Sequence, residues 1–278
     1  MVDAGGGEDA GVFELATTPV IPAVTGTCPD FHAGDTVTMT PAGVAPRDVR
    51  VWVGENADTM DGPLVFYWHG AGGSPTEAMQ VLGAERMAEI QAAGGMVVGM
   101  IHDPAAGDFP WYLTTGTEEN DLLVADEVVA CAVEQVGIDV THIHSIGFSA
   151  GALHNSQMAI RRASYLASVV VYSGGLIARR RVPTDAPDAR FAALLFHGGA
   201  SDVVLTNFED ATETYRETLE RAGHFAVVCD HGRGHTIPPE AGLSSAWRFL
   251  MDHPYASYPS PYASGLPEGF YDACVGPG

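Results

Sequence analysis

Short apolar runs alternate with longer stretches of helical periodicity along most of this chain. Parallel neighbours in a sheet need a long crossover, usually a helix, so this alternation predicts a mostly parallel central sheet with helices on both faces, an α/β class. Thr36 to Thr40 and Asp48 to Val53 are β-branched or alternating and read as an antiparallel lead-in pair. Further strands are expected at Pro63 to Trp68, Met96 to Ile101, His142 to Gly147, Ser168 to Tyr172, Phe191 to Phe196 and Phe225 to Cys229. Between them lie predicted helices at Thr76 to Ala93, Glu118 to Val136, Gly151 to Tyr165, Asn207 to Ala222 and Pro238 to Met251. The first would bury Met79, Leu82, Met87 and Ile90 and stop at Gly94-Gly95; Thr117 is the N-cap expected for the second.

With 278 residues and 46% hydrophobic content the chain can bury one large core. Residues 35–253 read as the folded unit, 1–34 as a flexible tether and lead-in, and 254–278 as an irregular strap. The Pro-Tyr-Ala-Ser tetrapeptide at Pro254 recurs at Pro261, too short a repeat to build an architecture. The Gly- and acid-rich start, Met1 to Gly11, fits the remnant of an exported or surface-anchored protein; an ordinary floppy terminus is the alternative. No run approaches the roughly 18 to 20 apolar residues of a membrane helix. A net charge of −22 disfavours nucleic acid, whose binding runs on clustered cations. All 13 basic residues are Arg, which excludes Schiff-base, P-loop and Ser-x-x-Lys chemistry. Cys28, Cys131, Cys229 and Cys274 are too dispersed for a zinc site; the outer two lie where a disulfide would tie down weakly held chain, but spacing does not choose the partners. No metal ligands cluster, so neither metal nor other cofactor is expected.

Gly147-Phe148-Ser149-Ala150-Gly151 fits G-x-S-x-G where a predicted strand becomes a helix. Glycines there let strand and helix approach, and a sharp turn would present Ser149 as a nucleophile; a plain glycine-rich β-to-α turn is the structural alternative. A serine hydroxyl needs a base, and the base needs a carboxylate to hold its tautomer. His197-Gly198-Gly199-Ala200-Ser201-Asp202 closes one strand, and Gly232-Arg233-Gly234-His235-Thr236-Ile237-Pro238 follows the last. The order Ser, Asp, His is that of α/β-hydrolases.

Taken with His69-Gly70-Ala71-Gly72-Gly73, these segments resemble, in the right order, the α/β-hydrolases that include polyhydroxybutyrate depolymerases, feruloyl and acetylxylan esterases and related polyester hydrolases. The resemblance covers about residues 35 to 253. It implies an α/β-hydrolase fold with Ser149 as nucleophile, Asp202 as orienting carboxylate and His235 as base, and an oxyanion hole from the amides of Ala150 and Ala71, with Gly72 the alternative second donor. A phosphate-cradling loop, the other use of such glycines, would want a G-x-G-x-x-G or a P-loop Lys. His231 competes with His235, and Asp230 and Glu209 with Asp202; His224 belongs to the opposite end of the sheet, and His142, His144, His154 and His197 read as structural.

Trp111 and Tyr112 are expected to wall the cleft together with Gly72, or else simply to pack in the interior. The connection from Gly174 to Phe191 is too short for a large helical lid, so the lid should be minimal and the site open to bulky or polymeric esters. Arg179-Arg180-Arg181 within it could attract carboxylates or be a solvated loop. The function this implies is a monomeric serine ester hydrolase, secreted or lipoprotein-anchored, cleaving polyesters (polyhydroxyalkanoate or aromatic) or hydroxycinnamoyl esters. A serine exopeptidase on the same fold is the second reading, and a catalytically silent binding protein the third.

Overall fold

A computed structural model describes residues 14–106, 109–111, 119–178 and 182–276. Its strands are β1 (Thr36–Met39), β2 (Arg47–Val53), β3 (Gly62–Trp68), β4 (Met96–Met100), β5 (Ile138–Phe148), β6 (Ser168–Tyr172), β7 (Ala192–His197), β8 (Phe225–Asp230) and β9 (Cys274–Val275). Its α-helices are α1 (Ala78–Ala92), α2 (Glu119–Gln135), α3 (Ala150–Arg161), α4 (Phe208–Arg221) and α5 (Glu240–Asp252). All strands form one sheet in the order β1-β2-β4-β3-β5-β6-β7-β8-β9. From β4 to β8 neighbours run parallel, and the outer pairings are antiparallel.

Alternation along β3 shows why the sheet is covered on both sides. Leu64, Phe66 and Trp68 enter the core that α2, α3 and α4 share, while Val65 and Tyr67 enter the one under α1 and α5. β4 and β5 flank β3 on opposite sides, so chain direction across the sheet reverses there. That reversal opens a crevice beyond the carboxyl ends of β3 and β5, where open α/β sheets bind their ligands.

Several elements depart from expectation for local reasons. The first helix opens as a single 3-10 turn, Pro75–Glu77, and is interrupted at Gly83, whose φ of 79° shifts the helical phase. Met79 is therefore 49% exposed, whereas Val81, Leu82, Met87 and Ile90 are buried. The last strand is β9 rather than β8, formed where the C-terminal strap adds to the sheet edge. Thr117 lies outside the described residues, as do Met1 to Gly11.

From residue 14 onward the lead-in is held rather than loose. The Glu127 carboxylate on α2 accepts from the amides of Thr25 and Gly26 and from the Thr25 hydroxyl. Cys28 is disulfide-bonded to Cys131 of α2, and Cys274 of the strap to Cys229 of β8. Each outer cysteine is thus paired with a core element, and closing a loop of this kind typically contributes about 2–4 kcal/mol. The strap is fastened further by Tyr255, whose amide donates to Thr141 O, and by buried Tyr262 and Phe270.

Buried histidines make the fold acid-sensitive. Burial pushes His154 and His253 down to about 4 and His224 to about 3. In the unfolded chain these imidazoles titrate near 6.5, so between that value and about 4 the unfolded state binds more protons. Their contribution is complete above about pH 6.5 and is lost as the pH falls below it. Melting temperature, measured at high salt to screen relief of the acidic self-repulsion, is expected to fall steadily from pH 7 to pH 4; a flat profile would contradict this account.

Candidate active site

Ser149 joins β5 to α3 with φ 55° and ψ −121°, an unfavourable backbone for any residue with a Cβ. The turn is possible because of its neighbours. A Cβ on Gly151 would overlap Trp68 O of β3, and one on Gly147 would stand 2.6 Å from Gly151 O. Tyr172 O accepts the Ser149 amide and so ties the turn to β6.

His235 Nε2 lies 2.9 Å from Ser149 Oγ, and its Nδ1 lies 2.7 Å from Asp202 Oδ1. With Nδ1–H donated to the carboxylate, Nε2 is left to accept the serine proton. Asp202 is fully buried, and its second oxygen accepts from Ser173 Oγ at 2.7 Å and Gly198 N at 2.9 Å. Burial by itself pulls its pKa up; the hydrogen bonds from His235, the Gly198 amide and Ser173 together outweigh that and hold it below the ordinary value. The Gly234 amide donates to Gly198 O, binding the histidine loop to the aspartate loop. Phe148 and Phe208 stack on the His235 ring and restrict its orientation.

Ser173 joins this candidate site through the Asp202 carboxylate, and sequence reasoning missed it. It follows β6 at the catalytic edge with φ 49°, just before Gly174-Gly175. Its placement after a buried strand, two glycines behind it, was the available signal. Ser173→Ala is expected to lower kcat several-fold with little change in KM, because one donor to the orienting carboxylate is lost while the substrate surface stays; equal falls in both constants would count against it.

The rival residues are engaged elsewhere. His231 Nδ1 accepts from the Arg233 amide inside its own turn, and burial lowers its pKa. His224 Nδ1 accepts from the Phe191 amide beside the start of β7. Asp230 Oδ1 accepts from the Gly232 amide, and Glu209 sits in the first turn of α4. His142 bonds Asp139, His144 bonds Ser168, and His197 accepts from the Gly199 amide.

Ala150 opens α3, so its amide is among the first-turn donors without a partner in the helix, at the positive end of the helix dipole. The loop after β3 turns through a Gly73 N to Gly70 O hydrogen bond, leaving Ala71 and Gly72 exposed at its tip. A Cβ on Gly70 would stand 3.2 Å from Ser149 Cβ, so this loop abuts Ser149. His69 braces it from below: Nδ1 bonds Gly70 O, and Nε2 lies 3.2 Å from His102 Nδ1.

Trp111 differs from the expectation of a cleft wall. It is 1% exposed, its indole N–H donates to His69 O, and its ring packs against Trp68 and His154. The large ring is buried because its polar edge finds a carbonyl there, so Trp111 supports the loop from the core. Tyr112 and Arg179 to Arg181 lie outside the described residues. The described parts of the Gly174 to Phe191 connection contain no helix, and Asp185 and Asp188 anchor it to Ser164 and Ala16. Among the described residues no group of three His, Cys, Asp or Glu is placed to hold a metal, and no helix is long and apolar enough to cross a membrane.

The sheet order, the strained serine between β5 and α3 and the loops carrying Asp202 and His235 define an α/β-hydrolase fold. Solved structures bear out that class. Native pOPH superposes with a TM-score of 0.69 at 15% identity, over 96% of this chain and 98% of its own. The carboxylesterase of Bacillus cereus gives 0.54 at 16% identity, covering 73% and 92%, and the S-formylglutathione hydrolase of Agrobacterium tumefaciens 0.54 at 16%, covering 78% and 91%. No protein-family profile matches the chain, and no curated protein matches it by sequence.

Proposed function

We propose that this protein is a carboxylic ester hydrolase working through a serine acyl-enzyme. The observation that carries this is the continuous hydrogen-bond chain from Ser149 Oγ through His235 to buried Asp202. Ser149 Oγ attacks the ester carbonyl as its proton passes to His235 Nε2. The amides of Ala150 and Ala71 receive the oxyanion, and the C–O bond breaks as the leaving alcohol takes the proton from Nε2. Water then attacks the acyl-enzyme by the same steps in reverse, returning free Ser149 and the acid.

The site's bulk tolerance rests on the connection after β6, which is short, has no helix among its described residues and is drawn away to Ser164 and Ala16. Polyesters of hydroxy acids or aromatic diacids, and hydroxycinnamoyl esters, are the substrates such a cleft suits. The carboxylesterase and S-formylglutathione hydrolase among the structural neighbours agree with ester chemistry in general. Two disulfides favour an oxidising compartment, in keeping with a secreted or surface-anchored enzyme.

The test sets p-nitrophenyl acetate, an amino-acid p-nitroanilide, polyhydroxybutyrate particles and emulsified triolein against equal amounts of enzyme. Ester and polyester turnover with negligible anilide cleavage supports the reading. Preferred anilide cleavage would make it a peptidase, inertness toward all four a binding protein, and a preference for triolein a lipase.

A further inference from the structure

A pocket of about 270 Å³ adjoins the triad, its lining including Glu77, Gln80, Val81, Phe148, His235 and Ile237. Its position assigns it a role in the reaction. The leaving oxygen must come within hydrogen-bond distance of His235 Nε2 to take its proton, so the group attached to that oxygen extends into the space beside His235. Val81, Phe148 and Ile237 give this space apolar surface, while Glu77 and Gln80 supply its polar groups.

Glu77 is held in place there. Tyr67, fully buried in β3, donates its hydroxyl to Glu77 Oε2 at 3.1 Å. The carboxylate packs so closely on the oxyanion loop that it occupies the space a Cβ on Gly73 would need. Its negative charge is therefore fixed beside the oxyanion loop and beside the base, on a residue only partly exposed to water. A carboxylate accepts hydrogen bonds and donates none, and it repels another anion strongly where water is partly excluded.

We propose that Glu77 determines the alcohol specificity of this site: it selects esters whose alcohol portion carries a further hydroxyl, and it rejects those whose alcohol portion carries a carboxylate. This rests on the serine-esterase reading given above. A diol or polyol would place its free hydroxyl on the Glu77 carboxylate and its methylenes against Val81, Phe148 and Ile237. An alcohol ending in a carboxylate would bring like charges together in the same pocket. Tyr67 acts only by positioning Glu77. The substrate class this adds is the glycol- or polyol-terminated ester, which includes the hydroxyl end of a diol-based polyester chain.

The experiment compares kcat/KM for three acetates with a common acyl group: hydroxyalkyl, alkyl of matching length, and carboxyalkyl, each with spacers of two to four methylenes. At one spacer length the wild type is expected to favour hydroxyalkyl over carboxyalkyl acetate by at least about tenfold. E77Q should shrink that ratio about tenfold, and E77R should invert it. The substitutions change the protein's overall charge of −22 only slightly, so a ratio that moves with Glu77 reports the local charge. Y67F separates specificity from structure: it should keep most of the discrimination against the carboxylate, because Glu77 remains. If E77Q and E77R lower kcat/KM for all three acetates by the same factor, Glu77 merely braces the loop and the proposal falls. It falls equally if wild-type ratios stay near one at every spacer length or ignore the charge at position 77. Failure of the underlying reading looks different, since none of the acetates, nor p-nitrophenyl acetate, would then be hydrolysed.

Discussion

Ser149→Ala is expected to lower ester turnover by about a millionfold while leaving the melting temperature nearly unchanged. Ser149 Oγ is the hydroxyl that meets His235 Nε2 among the described residues, at 2.9 Å, and alanine removes it. Alanine tolerates the φ of 55° no worse than serine does, so the turn between β5 and α3 should persist. His235→Ala should be comparably severe, because a triad acts as a unit, whereas His231→Ala should cost no more than a few-fold. The two histidines belong to one loop but differ in partners. One bridges Ser149 and Asp202, and the other accepts the Arg233 amide within its own turn. A covalent phosphonate probe adds a second readout, labelling the wild type at Ser149 and failing on Ser149→Ala. Substantial ester turnover remaining in the Ser149 variant would overturn the mechanism.

Asp202→Asn is the second large effect, expected at about ten-thousandfold in kcat. The reason lies in the donors around the carboxylate. Ser173 Oγ and Gly198 N both donate to Oδ2, so an amide at position 202 would keep its single carbonyl oxygen for them and turn its NH2 toward His235. Nδ1 would then have to accept, placing the ring proton on Nε2, the tautomer that cannot take the serine proton. Size and packing barely change, so folding should be spared and substrate binding kept. Kinetics and a melting curve on the same preparation check this. A loss under about tenfold would mean that the orientation of His235 comes mainly from its stacking on Phe148 and Phe208.

Much of this was legible in the chain because its signals are local. Ser168 to Tyr172 centres on three consecutive valines followed by a tyrosine, and it is β6 to the residue. Asn207 was placed at the start of a helix and caps α4, accepting from the Glu209 and Asp210 amides. G-x-S-x-G between a strand and a helix marked Ser149 because only small neighbours permit that turn. Where expectation failed, the cause was either one residue breaking a periodic pattern or a contact remote in sequence. Met79 matched the apolar periodicity, yet Gly83 broke the phase. Trp111 looked like a cleft aromatic until the carbonyl of His69 took its indole N–H.

By itself, then, the order of residues determined the alternation of strand and helix, the two-sided burial of the sheet and the identity of three chemically capable side chains, since each follows from periodicity, turn chemistry or motif within a short window. Tertiary structure alone decided which of several histidines meets Ser149, that Ser173 and Gly198 complete the shell of Asp202, that each outer cysteine pairs with a core element, and that Glu77 shares a pocket with His235. These depend on distances between segments tens of residues apart, set by how the sheet twists and how loops from β3, β5, β6, β7 and β8 converge at one edge. No local pattern encodes such a distance; it exists only once the whole core has packed.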